Sequence, residues 1–354
     1  MRVICRRLPD SRADVLADEK SFGPPRKVSI PAMRTLLIAA SCAALIVLGI
    51  AGMLVFGTAD RPPVLASLIG PLDKIDFSDL PAIETIPARK GGTIAFRRWG
   101  VAGSAGDPTL ILIHGSALSS TSLHPLGKAL AAAGIAVFAP DLRGHGKTGR
   151  KGDIDYRGQL DDDLADLVAM VKAARPGSQL VLAGFSGGGG FALRSAALPQ
   201  GGTFERVVLL SPMFGIRAPT VKSGGDRWVR LFVPRILALI VLDRFGIHAF
   251  DYLPVAAFAI PPERADILTG SYSFRLLRAI TTADYAADLK AAPSRIAVLV
   301  GEKDELFNAE LFAPTVQAVR ADAKVTVIQG LNHIELTTDP RAVPVIVASV
   351  RGQG

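Results

Sequence analysis

Thiols are nearly absent from this chain: Cys5 and Cys42 are the only cysteines among 354 residues. Two thiols exclude a disulfide framework and the four-ligand zinc modules. From residue 58 onward there are none, which suits an oxidising compartment. Charge is also sparse. Only 20% of residues are charged while 49% are hydrophobic, too apolar a balance for a disordered chain. No internal repeat or low-complexity block is present. Beyond the N-terminal tail the basic residues are scattered among acids with no aromatic-interleaved cluster, so nucleic acid is not expected as a partner.

What is present is an unusual pairing, a net charge of +8 together with a mean hydropathy of +0.34. The two surpluses sit side by side. Residues 1–34 carry eight basic side chains against four acidic ones, half of the net charge. Residues 35–57, TLLIAASCAALIVLGIAGMLVFG, contain no charge at all. At about 1.5 Å per residue this run reaches about 34 Å, enough to cross a hydrocarbon core of roughly 30 Å. The basic tail predicts a cytoplasmic N-terminus and a catalytic domain outside the cytoplasm. Gly57-Thr58-Ala59 is a small-x-small site, so a secreted form cleaved after Ala59 is the alternative, although the apolar run is longer than a signal peptide's usual 7–15 residues. Cys42, in AASC, is a poor lipoprotein site. Met33-Arg34 offers a second translation start.

Residues 58–90 hold five prolines and no sustained period, and are expected to be a linker. From residue 91 short apolar runs recur: TLILIH (109–114), IAVFAPD (135–141), QLVLAGF (179–185), RVVLLSP (206–212), RIAVLVG (295–301) and KVTVIQG (324–330). Continuous apolar strands, as opposed to alternating ones, imply burial on both faces and hence a mostly parallel sheet covered by helices. Helical stretches intervene near 120–133, 158–175, 188–198, 308–321 and 339–350, giving a doubly wound α/β architecture. The stretch between the strands at 206–212 and 295–301 is too long for one crossover. WVRLFVPRILALIVL (228–242) and FDYLPVAAFAI (250–260) within it read as helix-like, so residues 213–292 are expected to form an inserted helical cap on a core of 91–212 and 293–354.

The sharpest motif is GFSGG, residues 184–188, between the strand QLVLAG and the helical FALRSAAL. G-x-S-x-G in that strand–turn–helix setting holds a serine at a tight turn with its Oγ exposed. The glycines here do not follow G-x-G-x-x-G, and no lysine follows as in a phosphate loop. Ser186 is therefore the candidate nucleophile. A hydroxyl needs a base, itself oriented by a carboxylate. Asp304 in GEKDELF (301–307) and His333 in GLNHIEL (330–336) each follow a strand, at the carboxyl edge where reactants gather. Glu302 and Glu305 are alternative acids. One oxyanion donor is expected from the Gly187 N–H and the other from Ser116, with Ala117 as second choice. His114, Gly115 and His145 read as loop-shaping, and the run Asp161–Asp163 as a solvated helix start.

These features resemble the α/β-hydrolase superfamily. HGS (114–116), DLRGHG (141–146), GFSGG, GEKDELF and GLNHIEL stand in the family's order across residues 90–350. The chain is most similar to the lysophospholipase, monoacylglycerol-lipase and serine-aminopeptidase-like hydrolases, which carry a cap at the same place. The resemblance implies an α/β-hydrolase fold, no metal or organic cofactor, and a two-step acyl transfer. In that mechanism Ser186 attacks, His333 moves the proton and Asp304 orients the imidazole. Where the group often has a bulky residue after the nucleophile, this chain has Gly187, which predicts a widened elbow. The expected activity is hydrolysis of a carboxylic ester, lipid-like or a lysophospholipid. Thioester, amide and carbon–carbon cleavage use the same triad, and a catalytically silent membrane-tethered binding module is the alternative from another class.

Overall fold

The computed structural model describes residues 30–100, 107–223 and 228–353. Most of the basic tail, residues 1–29 with Cys5, lies outside the described residues. The chain divides into two compact units, residues 1–50 and 51–354. Helix α1 (Ile30–Phe56) is apolar on every side. Its span Met33–Phe56 is 24 residues long, apolar enough to cross a membrane, and almost wholly exposed.

The larger unit is built on an eight-stranded sheet. In chain order its strands are β1 (Glu84–Pro87), β2 (Thr93–Trp99), β3 (Thr109–Ile113), β4 (Ala136–Pro140), β5 (Leu180–Phe185) and β6 (Arg206–Leu210). After a second, smaller sheet β7 (Val229–Leu231), β8 (Pro254–Phe258) and β9 (Ser271–Ser273), the main sheet resumes with β10 (Arg295–Gly301) and β11 (Lys324–Ile328). The spatial order is β1-β2-β4-β3-β5-β6-β10-β11. Strands β3 to β6, β10 and β11 run parallel, while β2 is antiparallel to both β1 and β4. The apolar runs TLILI, AVFAP and LVLAGF are buried at every position, as a sheet covered on both faces requires. The last strand, KVTVI, is an edge, and alternates exposed with covered residues.

The covering helices of the core are α3 (His124–Ala132), α4 (Gln159–Ala174), α5 (Gly187–Ala197), α9 (Phe312–Gln317), α10 (Glu335–Thr338) and α11 (Val343–Arg351). Two stretches differ from expectation. The predicted linker contains a helix, α2 (Ala66–Asp73), whose Leu68, Ile69 and Leu72 are buried in the main core. The segment between β6 and β10 is not wholly helical. It carries α6 (Val233–Arg244), α7 (Phe274–Ile280) and α8 (Tyr285–Ala291) beside the antiparallel sheet β7-β8-β9. The run PVAAF reads as helical by composition, but its backbone pairs with strands on both sides and its last four residues are buried.

Candidate active site

The turn after β5 places Ser186 at φ 53°, ψ −119°, a strained conformation outside the regular structures and a common mark of reactive positions. Its N–H is held by the Leu210 carbonyl at 2.8 Å, and its carbonyl accepts from Gly189 and Met213, so strain is locked in on both sides. The motif glycines are there for close approach. A Cβ on Gly184 would stand 2.1 Å from the Gly188 carbonyl oxygen, and one on Gly188 2.2 Å from that of His114.

Asp304 and His333 meet beyond the ends of β10 and β11. The His333 Nδ1 donates to Asp304 Oδ2 at 2.7 Å, with both residues buried. The same carboxylate oxygen accepts from the Ser211 hydroxyl at 2.7 Å, and Oδ1 accepts from the Leu306 and Phe307 N–H groups at 2.9 and 3.0 Å. Burial alone would raise the Asp304 carboxyl. The charge and hydrogen bond of His333, with the Ser211 and Leu306 donors, outweigh it and hold the group below its usual value. The imidazole is fixed between Phe185 and Phe307, with ring centroids 4.7 and 5.4 Å away. The two glutamates weighed as alternatives do other work. Glu305 accepts from the His333 backbone N–H at 2.9 Å and Glu302 from that of Gly330 at 2.8 Å, so both shape the histidine loop.

The two candidate oxyanion donors separate on hydrogen bonding. The Ala117 N–H donates to the Tyr272 hydroxyl at 2.8 Å and is already engaged. Among the described residues, the Ser116 and Gly187 N–H groups have no such partner. Tyr272 is buried, accepts also from the Ser116 side chain, and donates in turn to His145 Nε2. Burial drives its hydroxyl pKa up, and drives the His114 and His145 pKa values down, with repulsion between the two histidines adding at His145. All three stay neutral and act as a scaffold under the HGS loop. His114 accepts from the Leu142 N–H at 3.0 Å through Nε2, the loop-shaping part expected of it.

Gly187 does not widen the elbow. A Cβ there would lie 2.1 Å from Ser116 Oγ, so the space a larger residue fills elsewhere is occupied by the Ser116 hydroxymethyl. The acidic run is not merely solvated either. Asp161 pairs with Arg194, Asp162 with Arg89 and Lys90, and Asp163 with the buried Arg143.

Three small cavities converge here. One of about 10 Å³ is bounded by Ser186, His333, Trp228 and, from α2, Leu68 and Leu72. A second of about 70 Å³ lies between Ser186, Met213, Trp228 and Phe258. A third of about 230 Å³ is lined by Ser116 and Gly187 together with Val229, Leu231, Leu277, Ile280, Ile216 and Ile236. Among the described residues, none of the three has an acidic side chain in its lining. Leu68, Leu72, Trp228, Tyr272 and Ser211 were not singled out from sequence. Each acts through contacts with residues far along the chain, and no local motif marks them.

The profile of the serine aminopeptidase S33 family matches residues 105–341. The chain belongs to that family. It is a hydrolase of the α/β-hydrolase fold. A non-heme haloperoxidase of Rhodococcus erythropolis is 26% identical over 263 residues, 70% of this chain and 92% of that protein. An esterase of Mycobacterium tuberculosis is 34% identical over 119 residues, 34% of this chain and 36% of its own length. Among solved structures, a monoglyceride lipase of Saccharomyces cerevisiae shares the fold with a TM-score of 0.56 at 16% identity, over 79% of this chain and 96% of its own. A bromoperoxidase of Bacillus anthracis does so with a TM-score of 0.54 at 20% identity, over 76% and 100%.

Proposed function

We propose that this chain is a membrane-anchored serine hydrolase of carboxylic esters with an apolar acyl group. Ser186 attacks the ester carbonyl while His333 takes its proton and then delivers it to the leaving alcohol. Asp304, through its 2.7 Å bond to Nδ1, sets the tautomer and stabilises the imidazolium that forms. The free N–H groups of Gly187 and Ser116 receive the oxyanion, each worth about 3 kcal/mol in the transition state. Water then resolves the acyl-enzyme by the same proton route.

The observation that carries the ester reading is the character of the cavities. An aminopeptidase must hold the free α-ammonium of its substrate, and an unpaired ammonium in an apolar cavity is strongly disfavoured. Among the described residues, the lining around Ser186 offers mainly aliphatic and aromatic side chains and no carboxylate. A cavity of about 230 Å³ suits a modest apolar chain. In this reading residues 213–292 serve as the cap, α1 spans the membrane with its N-terminus cytoplasmic, and residues 58–354 work outside the cytoplasm. The test is Ser186→Ala in the full chain. Hydrolysis of p-nitrophenyl butyrate should fall on the order of 10⁴-fold or more, and labelling by a fluorophosphonate should vanish. Wild-type turnover by the variant, or faster cleavage of aminoacyl amides than of esters by the parent, refutes the reading.

A further inference from the structure

The cap helix α6 has its polarity inverted. Arg235, Ala238 and Leu239 face inward, whereas Val233, Pro234, Leu237, Ile240, Val241, Arg244 and Phe245 are exposed. These positions follow the three-and-four spacing of one helical stripe. Phe245 is 77% exposed, and the chain beyond it exposes Ile247, Phe250 and Tyr252 as well. The acids of the region are neutralised: Asp243 pairs with Arg157 and Arg278, and Asp251 with Arg157. Arg244 is left as the only charge on the stripe. Apolar surface this continuous marks an interaction site.

A second feature identifies what covers it. The Arg235 guanidinium donates to the Leu54 carbonyl at 2.7 Å, to that of Val55 at 3.2 Å and to that of Pro254 at 2.9 Å. Leu54 and Val55 belong to the last turn of α1, whose orphan carbonyls and negative dipole end are thereby capped by a cation. Leu54 also packs with Ile236 against Leu239, Val255 and Phe274. Wherever a spanning helix ends, the lipid–water boundary passes. The first turn of α6 therefore lies at that boundary, one side chain away from the end of the span. A basic residue on an otherwise apolar helical face is what an interfacial helix presents to anionic lipid.

We infer that the exposed face of α6, continued by Phe245 to Tyr252, is a membrane-docking surface whose occupant is the bilayer interface. The inference rests on the proposed membrane span. The 230 Å³ cavity is lined both by Ile236 of α6 and Ile216, which is 60% exposed, and by Ser116 and Gly187. Docking therefore brings the acyl chain of a membrane-resident ester from lipid to the nucleophile through an apolar passage, and the substrate class becomes esters that reside in the bilayer.

The experiment uses the full chain, Cys5→Ala/Cys42→Ala, in nanodiscs of phosphatidylcholine and phosphatidylglycerol. Spin labels are placed singly through Leu237→Cys, Phe245→Cys and Ile46→Cys. Labels at Leu237 and Phe245 that meet oxygen but are shielded from a water-soluble nickel chelate, with the Ile46 label in the hydrocarbon, support docking. Exposure of the α6 labels to both reagents, or protection from both as a protein partner or second copy would give, overturns docking while an Ile46 label in lipid leaves the span intact. An Ile46 label outside the hydrocarbon removes the span and docking together. Independently, Leu237→Glu/Phe245→Glu should lower hydrolysis of monooleoylglycerol in the same nanodiscs about tenfold. It should leave p-nitrophenyl butyrate hydrolysis unchanged, and equal loss on both substrates overturns the inference.

Discussion

Replacing Gly187 by alanine places a methyl group where Ser116 already stands. The ideal Cβ falls 2.1 Å from Ser116 Oγ and 3.3 Å from both its Cβ and its main-chain N. Rotation of the hydroxyl alone would sacrifice its hydrogen bond to Tyr272, about 1 kcal/mol, and register in stability without touching turnover. The main-chain contact is too tight for that to suffice. The Ser116 loop must also retreat by a few tenths of an ångström, and its N–H is one of the two proposed oxyanion donors. Outright removal of such a donor costs about 10²–10³ in kcat. A partial misplacement should cost about tenfold, which is about 1.4 kcal/mol.

The partner substitution makes the reasoning testable. Ser116→Gly keeps the N–H and removes the obstructing hydroxymethyl, so on its own it should stay within about threefold of the parent in kcat. Ser116→Gly/Gly187→Ala should recover part of the loss, since the Oγ and Cβ contacts are gone while the 3.3 Å contact with the main-chain N remains, a coupling of about 0.5 kcal/mol or more in a double-mutant cycle. The assay is kcat and KM for p-nitrophenyl butyrate by the full chain in detergent micelles, with thermal midpoints alongside. Wild-type turnover by Gly187→Ala would refute the argument, and so would a tenfold loss that persists unchanged in the double variant.

Ser211→Ala removes a donor from Asp304, so the carboxyl should titrate at higher pH and the midpoint of acid unfolding should move upward; a midpoint that does not move would leave Ser211 a packing role only. Leu72→Ala takes a buried side chain from the wall beside Ser186, and should cost about 2–5 kcal/mol of stability while improving kcat/KM for bulky esters relative to butyrate, read from denaturation and a two-substrate comparison. His114 and His145 are bases with depressed folded pKa values, so the unfolded chain binds more protons once pH drops below the ordinary 6.5. Stability should therefore fall below that pH by up to about 1.4 kcal/mol per unit for each histidine, and His145→Gln should flatten the thermal-midpoint profile by about one proton's share.

Much of this architecture is legible in the chain because burial on both faces leaves an unmistakable trace. LVLAGF has no polar position to hide and TLILI only Thr109, and the order Ser186, Asp304, His333 places three reactive groups after three strands. What stays hidden is held by distance. Nothing around Tyr272 announces that its hydroxyl will engage the Ala117 N–H 155 residues away, yet that bond separates two candidate donors that sequence leaves open. Nor does Ser211 look different from any serine after a strand until Asp304 folds against it. Helix α2 escapes notice for a local reason. It is eight residues long with Pro71 inside it, and its three buried positions are too few to establish a period. PVAAF is misread because alanine serves helix and buried strand alike, and only pairing with β7 and β9 decides.

The place of α2 also sets how this protein can be cut. The span shared with the family begins at residue 105, so the wall contributed by Leu68 and Leu72 comes from outside it. Scission after Ala59 would release a catalytic unit with its pocket whole. Scission a few turns later, between Asp73 and Glu84, would spare every residue of the triad yet unroof the serine. Liberation from the proposed anchor and exposure of the proposed nucleophile would thus be separate events, decided by about fifteen residues of chain.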